Sequence, residues 1–143
     1  MSNHKMPERH AFTLFDTIID TIRGTRKLTE DQVRVLHELL GTLILDALNF
    51  LDNEAVIRHQ CGPEAKRIAY SIADGERTVL CFIYPRYCSC DSFVSKTLCQ
   101  RSELMCCHVL AAILYDALDH NQPKRIWDED SFGELLFDWT VPA

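Results

Sequence analysis

The chain has 143 residues, of which 47% are hydrophobic and 25% charged, as expected for a single globular domain with its own core. Its formal net charge of −6 weighs against a protein that grips nucleic acid over its whole surface. The N-terminus lacks the apolar stretch of a secretory signal, and no apolar run approaches the roughly 20 residues that span a bilayer, so we expect a nuclear or cytosolic protein without membrane contact.

Two amphipathic helices are predicted in the first third of the chain. Over residues 11–23 apolar side chains recur every three or four positions, and Gly24 follows as a stop signal. Thr29 and Gln32 form the pattern of a capping box, which opens a second helix that we expect to run to about Phe50. The apolar face of this second helix is so wide that the rest of the domain or a partner chain must cover it.

The pattern then changes from helical spacing to alternation. AVIRHQ is a short candidate strand, and the alternating segments KRIAYSIA and RTVLCFIY flank an Asp-Gly turn that is typical of a β-hairpin. Helical spacing returns from Cys106 to about Leu118. We expect a single-domain α+β fold, in which residues 1–55 hold the helical pair, residues 56–120 hold the hairpin and a ββα-like metal-binding unit, and residues 121–143 form an acidic, aromatic tail with one short helix.

The cysteines predict a metal site. Seven cysteines in a reducing compartment favour metal ligands or buried thiols over disulfides. Cys88 and Cys90 follow the hairpin, where alternate residues of an extended chain point to the same side. Cys106 and His108 would lie in the first turn of the next helix, where free amides stabilise a thiolate. Three sulfurs and one imidazole complete the tetrahedral shell of a structural zinc site. Buried core thiols are the alternative, whereas a redox pair is disfavoured because no C-x-x-C is present.

The order C-x-C, fifteen residues, C-x-H, between a hairpin and an apolar helix, resembles the SWIM zinc finger over about residues 67–118. One small branch of that family extends the motif to C-x-C…C-x-H-x-x-A, and Ala111 occupies its last position here. The resemblance implies one zinc ion, Zn2+, bound by Cys88, Cys90, Cys106 and His108.

Within that branch, the chain resembles the SWIM-domain subunits of the Shu complex, which promotes homologous recombination. The resemblance therefore implies a nuclear protein in a heteromeric complex with a paralogue of the RecA-family recombinase. It further implies that the complex helps to assemble the recombinase filament on single-stranded DNA. Candidate partner surfaces are the apolar face of residues 33–51 and the aromatic side chains of the tail, Trp127, Phe132, Phe137 and Trp139.

Other cysteines and histidines leave some alternatives open. Cys107 directly follows Cys106 and could replace it by position, although the family pattern favours Cys106. Cys99 is a further thiol in the intervening loop, and Cys61 and Cys81 are expected in the core. The histidines outside the motif stand alone in the sequence, and we expect each to be an ordinary surface or packed side chain.

Charge is unevenly distributed along the chain. Residues 56–108 carry seven basic and five acidic side chains, whereas both flanks are acidic. A mixed solvated surface accounts for this balance, and a local phosphate contact through Arg86, Lys96 and Arg101 is the alternative.

An enzyme is not expected from this sequence. Four protein ligands leave no position for a reacting water, and adjacent helical residues such as Cys107 and His108 diverge by about 100°. No phosphate-binding glycine motif is present, so a partner would have to bind any ATP. We therefore expect a recombination-mediator subunit or, alternatively, a stand-alone SWIM zinc-finger adaptor for DNA or protein. A SWIM module of the ubiquitin-ligase or transposase type fits less well, because those chains are larger and multidomain.

Overall fold

A computed structural model describes residues 8–64, 67–84, 86–91, 93, 105–118 and 124–140. Within these ranges the chain forms five helices and five strands, which confirms the predicted α+β fold class. The helices are α1 (Glu8–Thr25), α2 (Glu30–Leu40), α3 (Leu43–Asp52), α4 (Cys107–Leu118) and α5 (Glu129–Thr140). The strands are β1 (Val56–Cys61), β2 (Ile68–Asp74), β3 (Arg77–Ile83), β4 (Arg86–Cys88) and β5 (Lys124–Trp127). Over the described part of the chain, no helix combines the length and hydrophobicity that a bilayer crossing requires.

The N-terminal helices follow the predicted pattern with one interruption. Thr29 and Gln32 form the expected capping box, in which the Gln32 amide donates to Thr29 Oγ1 at 3.1 Å and the Thr29 amide donates to Gln32 Oε1 at 2.8 Å. The second predicted helix is instead two helices, α2 and α3, because Gly41 has a φ of +67° and ends α2. Gly24 lies inside α1 rather than ending it.

The wide apolar face of α2 and α3 is covered by the chain itself. Its central residues are buried in the main core, namely Leu36, Leu40, Ile44 and Ala47. Burial of each large aliphatic side chain contributes about 1.5–3 kcal/mol to folding. These side chains are therefore held inside the domain and are not available to a partner. Of the two candidate partner surfaces, this one therefore belongs mainly to the core.

The five strands form one mixed sheet in the order β4-β3-β2-β1-β5. The predicted hairpin is present as β2 and β3, which pair from Tyr70 with Cys81 to Asp74 with Arg77 around Gly75, a residue with a φ of +64°. Strand β5 pairs in parallel with β1. The sequence pattern did not predict β5, which lies inside the segment that was expected to be a tail.

Side chains alternate between the two faces of the sheet. On one face Tyr70, Ile72 and Cys81 join the main core together with α1, α3 and α4. On the other face Ala69 and Leu80 pack with Phe132 of α5 in a second, smaller core. The period of two along each strand explains how both clusters draw on the same strands. Helix α4 is almost wholly buried, so its N-terminus, which carries the predicted ligands, is fixed in place.

Candidate metal centre

The structure brings the four predicted ligands together where β4 ends and α4 begins. One ligand atom from each side chain lies within 4.8 Å of the others, and all four side chains are buried: Cys88, Cys90, Cys106 and His108. Sulfurs at the corners of a tetrahedron with zinc–sulfur bonds of about 2.3 Å lie about 3.8 Å apart. The spacing therefore fits a single tetrahedral metal ion.

Cys88 and Cys90 are positioned by the pairing of β4 with β3. The Ser89 amide donates to the Leu80 carbonyl at 3.0 Å, and the Leu80 amide donates to Ser89 Oγ at 3.0 Å, so the extended backbone continues one residue past β4. The chain then turns, and the Phe93 amide donates to Cys90 Sγ at 3.3 Å. A backbone amide that donates to sulfur favours the thiolate form that binds metal.

Cys106 lies immediately before α4, one residue outside the helix whose first turn it was predicted to occupy. The Val109 amide, one of the unpaired donors of the first helical turn, donates to Cys106 Sγ at 3.5 Å. This contact supplies the amide stabilisation that was expected of a thiolate at a helix N-terminus.

His108 offers one ring nitrogen to the thiols and the other to an acid. Its Nε2 lies 2.9 Å from Asp74 Oδ2, and a carboxylate only accepts, so Nε2 carries the proton and Nδ1 is left with a lone pair. Within the described residues Nδ1 is buried and has no hydrogen-bond partner. An unpaired buried acceptor costs about 1–3 kcal/mol, and a bond to a metal ion would satisfy it. The residues present therefore fit the metal that their chemistry implies.

The electrostatic surroundings of the cluster favour a cation. Hydrogen bonds from Cys106 and Cys88 hold the pKa of the Cys90 thiol far below its ordinary value. Contacts with Cys88 and Cys90, together with burial, raise the pKa of Cys106. Burial lowers the pKa of His108, but Cys90 and Asp74 raise it by more. A divalent ion would replace the protons that these groups share.

The structure separates the alternatives for the third thiolate. Cys107 is only half-buried and is not part of the four-atom cluster, and burial raises the pKa of its thiol to about 11. Cys106 occupies the place that the family pattern gave it. Ala111 is fully buried in the main core one turn after His108. Cys99 lies outside the described residues.

Arg86, one of the three predicted phosphate contacts, has partners inside the chain. Its guanidinium lies 2.7 Å from Asp16 on α1 and stacks over the rings of Phe12 and Phe15 at 5.3 and 5.2 Å. The other two predicted contacts, Lys96 and Arg101, lie outside the described residues. Arg86 thus ties β4 to α1, whatever else it contacts.

Three side chains beside the centre were not predicted. Asp74 was noted only as a turn residue, Cys81 only as a core residue, and Phe50 only as the end of a helix. In the structure Asp74 contacts His108, the Cys81 and Cys88 sulfurs lie 3.5 Å apart, and the Phe50 and His108 rings lie 5.2 Å apart. The available signal was the register between β3 and β4, which places Cys81 opposite Cys88 once β4 is recognised as a strand.

Comparisons with known proteins agree with the motif. The chain is 24% identical over 125 residues to "Zinc finger SWIM domain-containing protein 7" of Mus musculus, covering 87% of this chain and 82% of the relative. It is 27% identical over 109 residues to the protein of the same name from Danio rerio, covering 76% and 77%. The human protein of that name is 21% identical over 87% of this chain and 89% of its own length. No family model and no solved structure matches the chain. The relatives confirm the resemblance to the SWIM-type zinc-finger family.

Proposed function

We propose that this chain, a protein of the SWIM zinc-finger type, binds one zinc ion through Cys88, Cys90, Cys106 and His108 and serves as a subunit of a recombination mediator complex. The proposed zinc binding is supported by the buried cluster of three sulfurs and by the Nδ1 of His108, which has no hydrogen-bond partner in the described residues. When bound, zinc would supply a rigid tetrahedral link between β4 and α4.

Zinc is the proposed ion because of the donor set. Three thiolates and one imidazole are typical of structural zinc sites, whereas oxygen donors would favour magnesium or calcium. A shell that is filled by four protein ligands has no position for a reacting water, so we propose a structural and not a catalytic role. The free energy of metal binding would then contribute directly to folding.

The proposed partner is a paralogue of the RecA-family recombinase, as the resemblance implies. The chain carries no phosphate-binding glycine motif, so nucleotide binding would come from the partner. A net charge of −6 would complement a basic partner, and the complex rather than this chain would provide most of the contact with single-stranded DNA. The proposed location is the nucleus, where this process takes place.

The partner is proposed to contact apolar side chains that the fold leaves in solvent, which lie at more than one place on the chain. Of the aromatic tail residues, Phe132 is fully buried in the second core, whereas Phe137 is 65% exposed. Tyr84, at 78%, and Ile126, at 61%, are the most exposed other large apolar side chains in the described ranges. The side chain of Trp139 lies outside the described residues.

Co-expression with candidate recombinase paralogues tests this function. We expect Cys88→Ser and His108→Ala to lose the zinc ion and to abolish co-purification with the paralogue, because the clamp that fixes the subunit is gone. Cys107→Ser is the matched control, since Cys107 adjoins two ligands but is not part of the cluster. Unchanged co-purification by zinc-free Cys88→Ser protein would refute the dependence on zinc, and a wild type that co-purifies with no recombinase paralogue would refute the subunit role.

The second candidate function is a stand-alone DNA-binding adaptor, which the basic balance of residues 56–108 favours. It requires the isolated chain to bind DNA with an affinity that falls with salt. Simultaneous replacement of Arg86, Lys96 and Arg101 by Ala should then weaken binding, and an unaltered affinity would exclude this candidate.

A further inference from the structure

Asp74 and Cys81 are not ligands, yet each hydrogen-bonds to a metal ligand, and both come from the β2–β3 hairpin. Asp74 is the last residue of β2, and Cys81 lies in the middle of β3. The ligands themselves come from β4, the turn after it and the start of α4. The hairpin thus contacts the centre at two residues without supplying a ligand.

Asp74 fixes the orientation of the His108 ring. Its Oδ2 accepts the Nε2 proton at 2.9 Å, while the ring of Phe50 packs against the imidazole at 5.2 Å between centroids. With the ring held in this way, Nδ1 is the nitrogen left for the metal. The Asp74 side chain is 51% exposed, so its place is not explained by core packing.

Cys81 contacts the sulfur of Cys88 across the sheet. The two residues are directly opposite in the β3–β4 register, and their sulfurs lie 3.5 Å apart, with the Cys81 thiol as donor. Cys81 is fully buried, so the contact is shielded from water. A thiol that donates to a metal-bound thiolate disperses part of its negative charge.

We propose that Asp74 and Cys81 are positioning residues of the metal centre, and that through them metal binding stabilises the β2–β3 hairpin. Asp74 sets the tautomer and direction of His108, and Cys81 supports the Cys88 thiolate. The inference depends on the proposed metal site, and it adds the residues that determine how tightly the metal is held.

Asp74 is tested with purified variants of the whole chain, stripped of metal and titrated with zinc against a competing chelator. We expect Asp74→Ala to weaken zinc binding by about 10–100-fold, the usual effect of removing the hydrogen-bond partner of a metal-bound histidine. Asp74→Asn should lose less, because its carbonyl still accepts the Nε2 proton. Glu76→Ala, in the same turn and also exposed to solvent, is the matched control and should bind like the wild type.

Cys81 is tested by the absorption spectrum of the cobalt-loaded protein, which reports the thiolate ligands directly. We expect Cys81→Ala to shift the sulfur-to-cobalt charge-transfer band and Cys81→Ser, which keeps a donor, to restore it in part. Cys61→Ala is the control, since Cys61 is a buried thiol in the second core on the other face of the sheet.

Hydrogen exchange of the backbone amides of β2 and β3 tests whether metal binding stabilises the hairpin. Metal should protect β2 and β3 in the wild type and protect them less in Asp74→Ala. The inference would be overturned if Asp74→Ala bound zinc as tightly as Glu76→Ala and the cobalt spectrum of Cys81→Ala were unshifted. The proposed metal site would not be affected by that result. A wild-type protein that takes up no zinc would instead overturn the proposed function.

Discussion

Two histidines are buried in the described part of the chain, His59 on β1 and His108 on α4, and they have opposite hydrogen-bond states. His59 is 2% exposed; its Nδ1 accepts from the Trp127 indole at 3.0 Å, so Nε2 carries the proton and donates to Ser71 Oγ at 2.8 Å. His108 is 6% exposed and has one nitrogen on Asp74, while the other has no hydrogen-bond partner in the described part of the chain. Burial alone therefore does not distinguish a ligand from a packed residue, whereas an accounting of both ring nitrogens does.

The two histidines also join different parts of the fold. His59 links β1 to β2 and to the parallel strand β5, so its bonds hold the far edge of the sheet. His108 links α4 to the tip of the β2–β3 hairpin. Both ring nitrogens of His59 are thus paired within the described part of the chain. The Nδ1 of His108 would gain its partner from the proposed metal ion.

Loss of metal should have the largest effect on stability. Structural zinc contributes about 10–16 kcal/mol of binding free energy in isolated fingers, so its removal should cost this domain several kcal/mol. We expect a chelator to lower the melting temperature of the wild type and to leave that of His108→Ala unchanged, as followed by circular dichroism. A wild type that melts at the same temperature with and without chelator would contradict the comparison.

Replacement of His59 should destabilise the chain without releasing metal. His59→Ala leaves the Trp127 indole and the Ser71 hydroxyl without their partner; an unpaired buried group such as the hydroxyl costs about 1–3 kcal/mol, and the half-buried indole costs less. We expect a total loss of roughly 2–4 kcal/mol in urea unfolding, with the zinc content still at one ion per chain. Zinc loss in this variant would show that the two histidine sites are not independent.

Low pH should destabilise the protein through protonation of His59. Burial, with the positive charge of Arg125, lowers the pKa of His59 from 6.5 to about 4. Between pH 6.5 and about 4, His59 is protonated in the unfolded chain but still neutral in the folded one. The free energy of unfolding therefore decreases as the pH falls through this range. His59→Gln does not titrate and should lose less stability between pH 7 and 5 than the wild type, both zinc-loaded. Equal losses in urea unfolding would assign the acid sensitivity to other groups.

The motif was predictable because its information is local. Cys88 and Cys90, like Cys106 and His108, are two positions apart, so the local geometry of a strand or a helix turn determines how each pair points. Asp74 and Cys81 were missed because their contacts depend on how β3, β4 and α4 come together. No pattern within either segment carries that information.

The fold shows the same limit. The hairpin has an Asp-Gly turn and was predicted, whereas β5 is four residues long and pairs in parallel with a strand more than 60 residues earlier. The break between α2 and α3 was missed because apolar spacing continues across Gly41, and a glycine inside a helical pattern is often tolerated. The position of β5 depends on pairing with a distant strand, and the break between α2 and α3 depends on the positive φ of Gly41.

The smallest expected effect comes from the contact between α1 and β4. Asp16 is 59% exposed, so Asp16→Ala should cost less than about 1 kcal/mol and should not alter zinc affinity. Arg86→Ala should cost more, because it also removes the stacking over Phe12 and the buried Phe15, worth at least about 0.5–1 kcal/mol for each pair.

The same pair of variants decides whether Arg86 contacts phosphate. If Arg86 only ties α1 to β4, Asp16→Ala will leave DNA affinity unchanged, because the guanidinium has no role on DNA. If Arg86 binds phosphate, removal of its internal carboxylate frees the guanidinium, and DNA affinity should rise in Asp16→Ala and fall in Arg86→Ala. Fluorescence anisotropy with single-stranded DNA at low salt distinguishes the two. A rise in Asp16→Ala would mean that the metal end of the sheet also faces DNA.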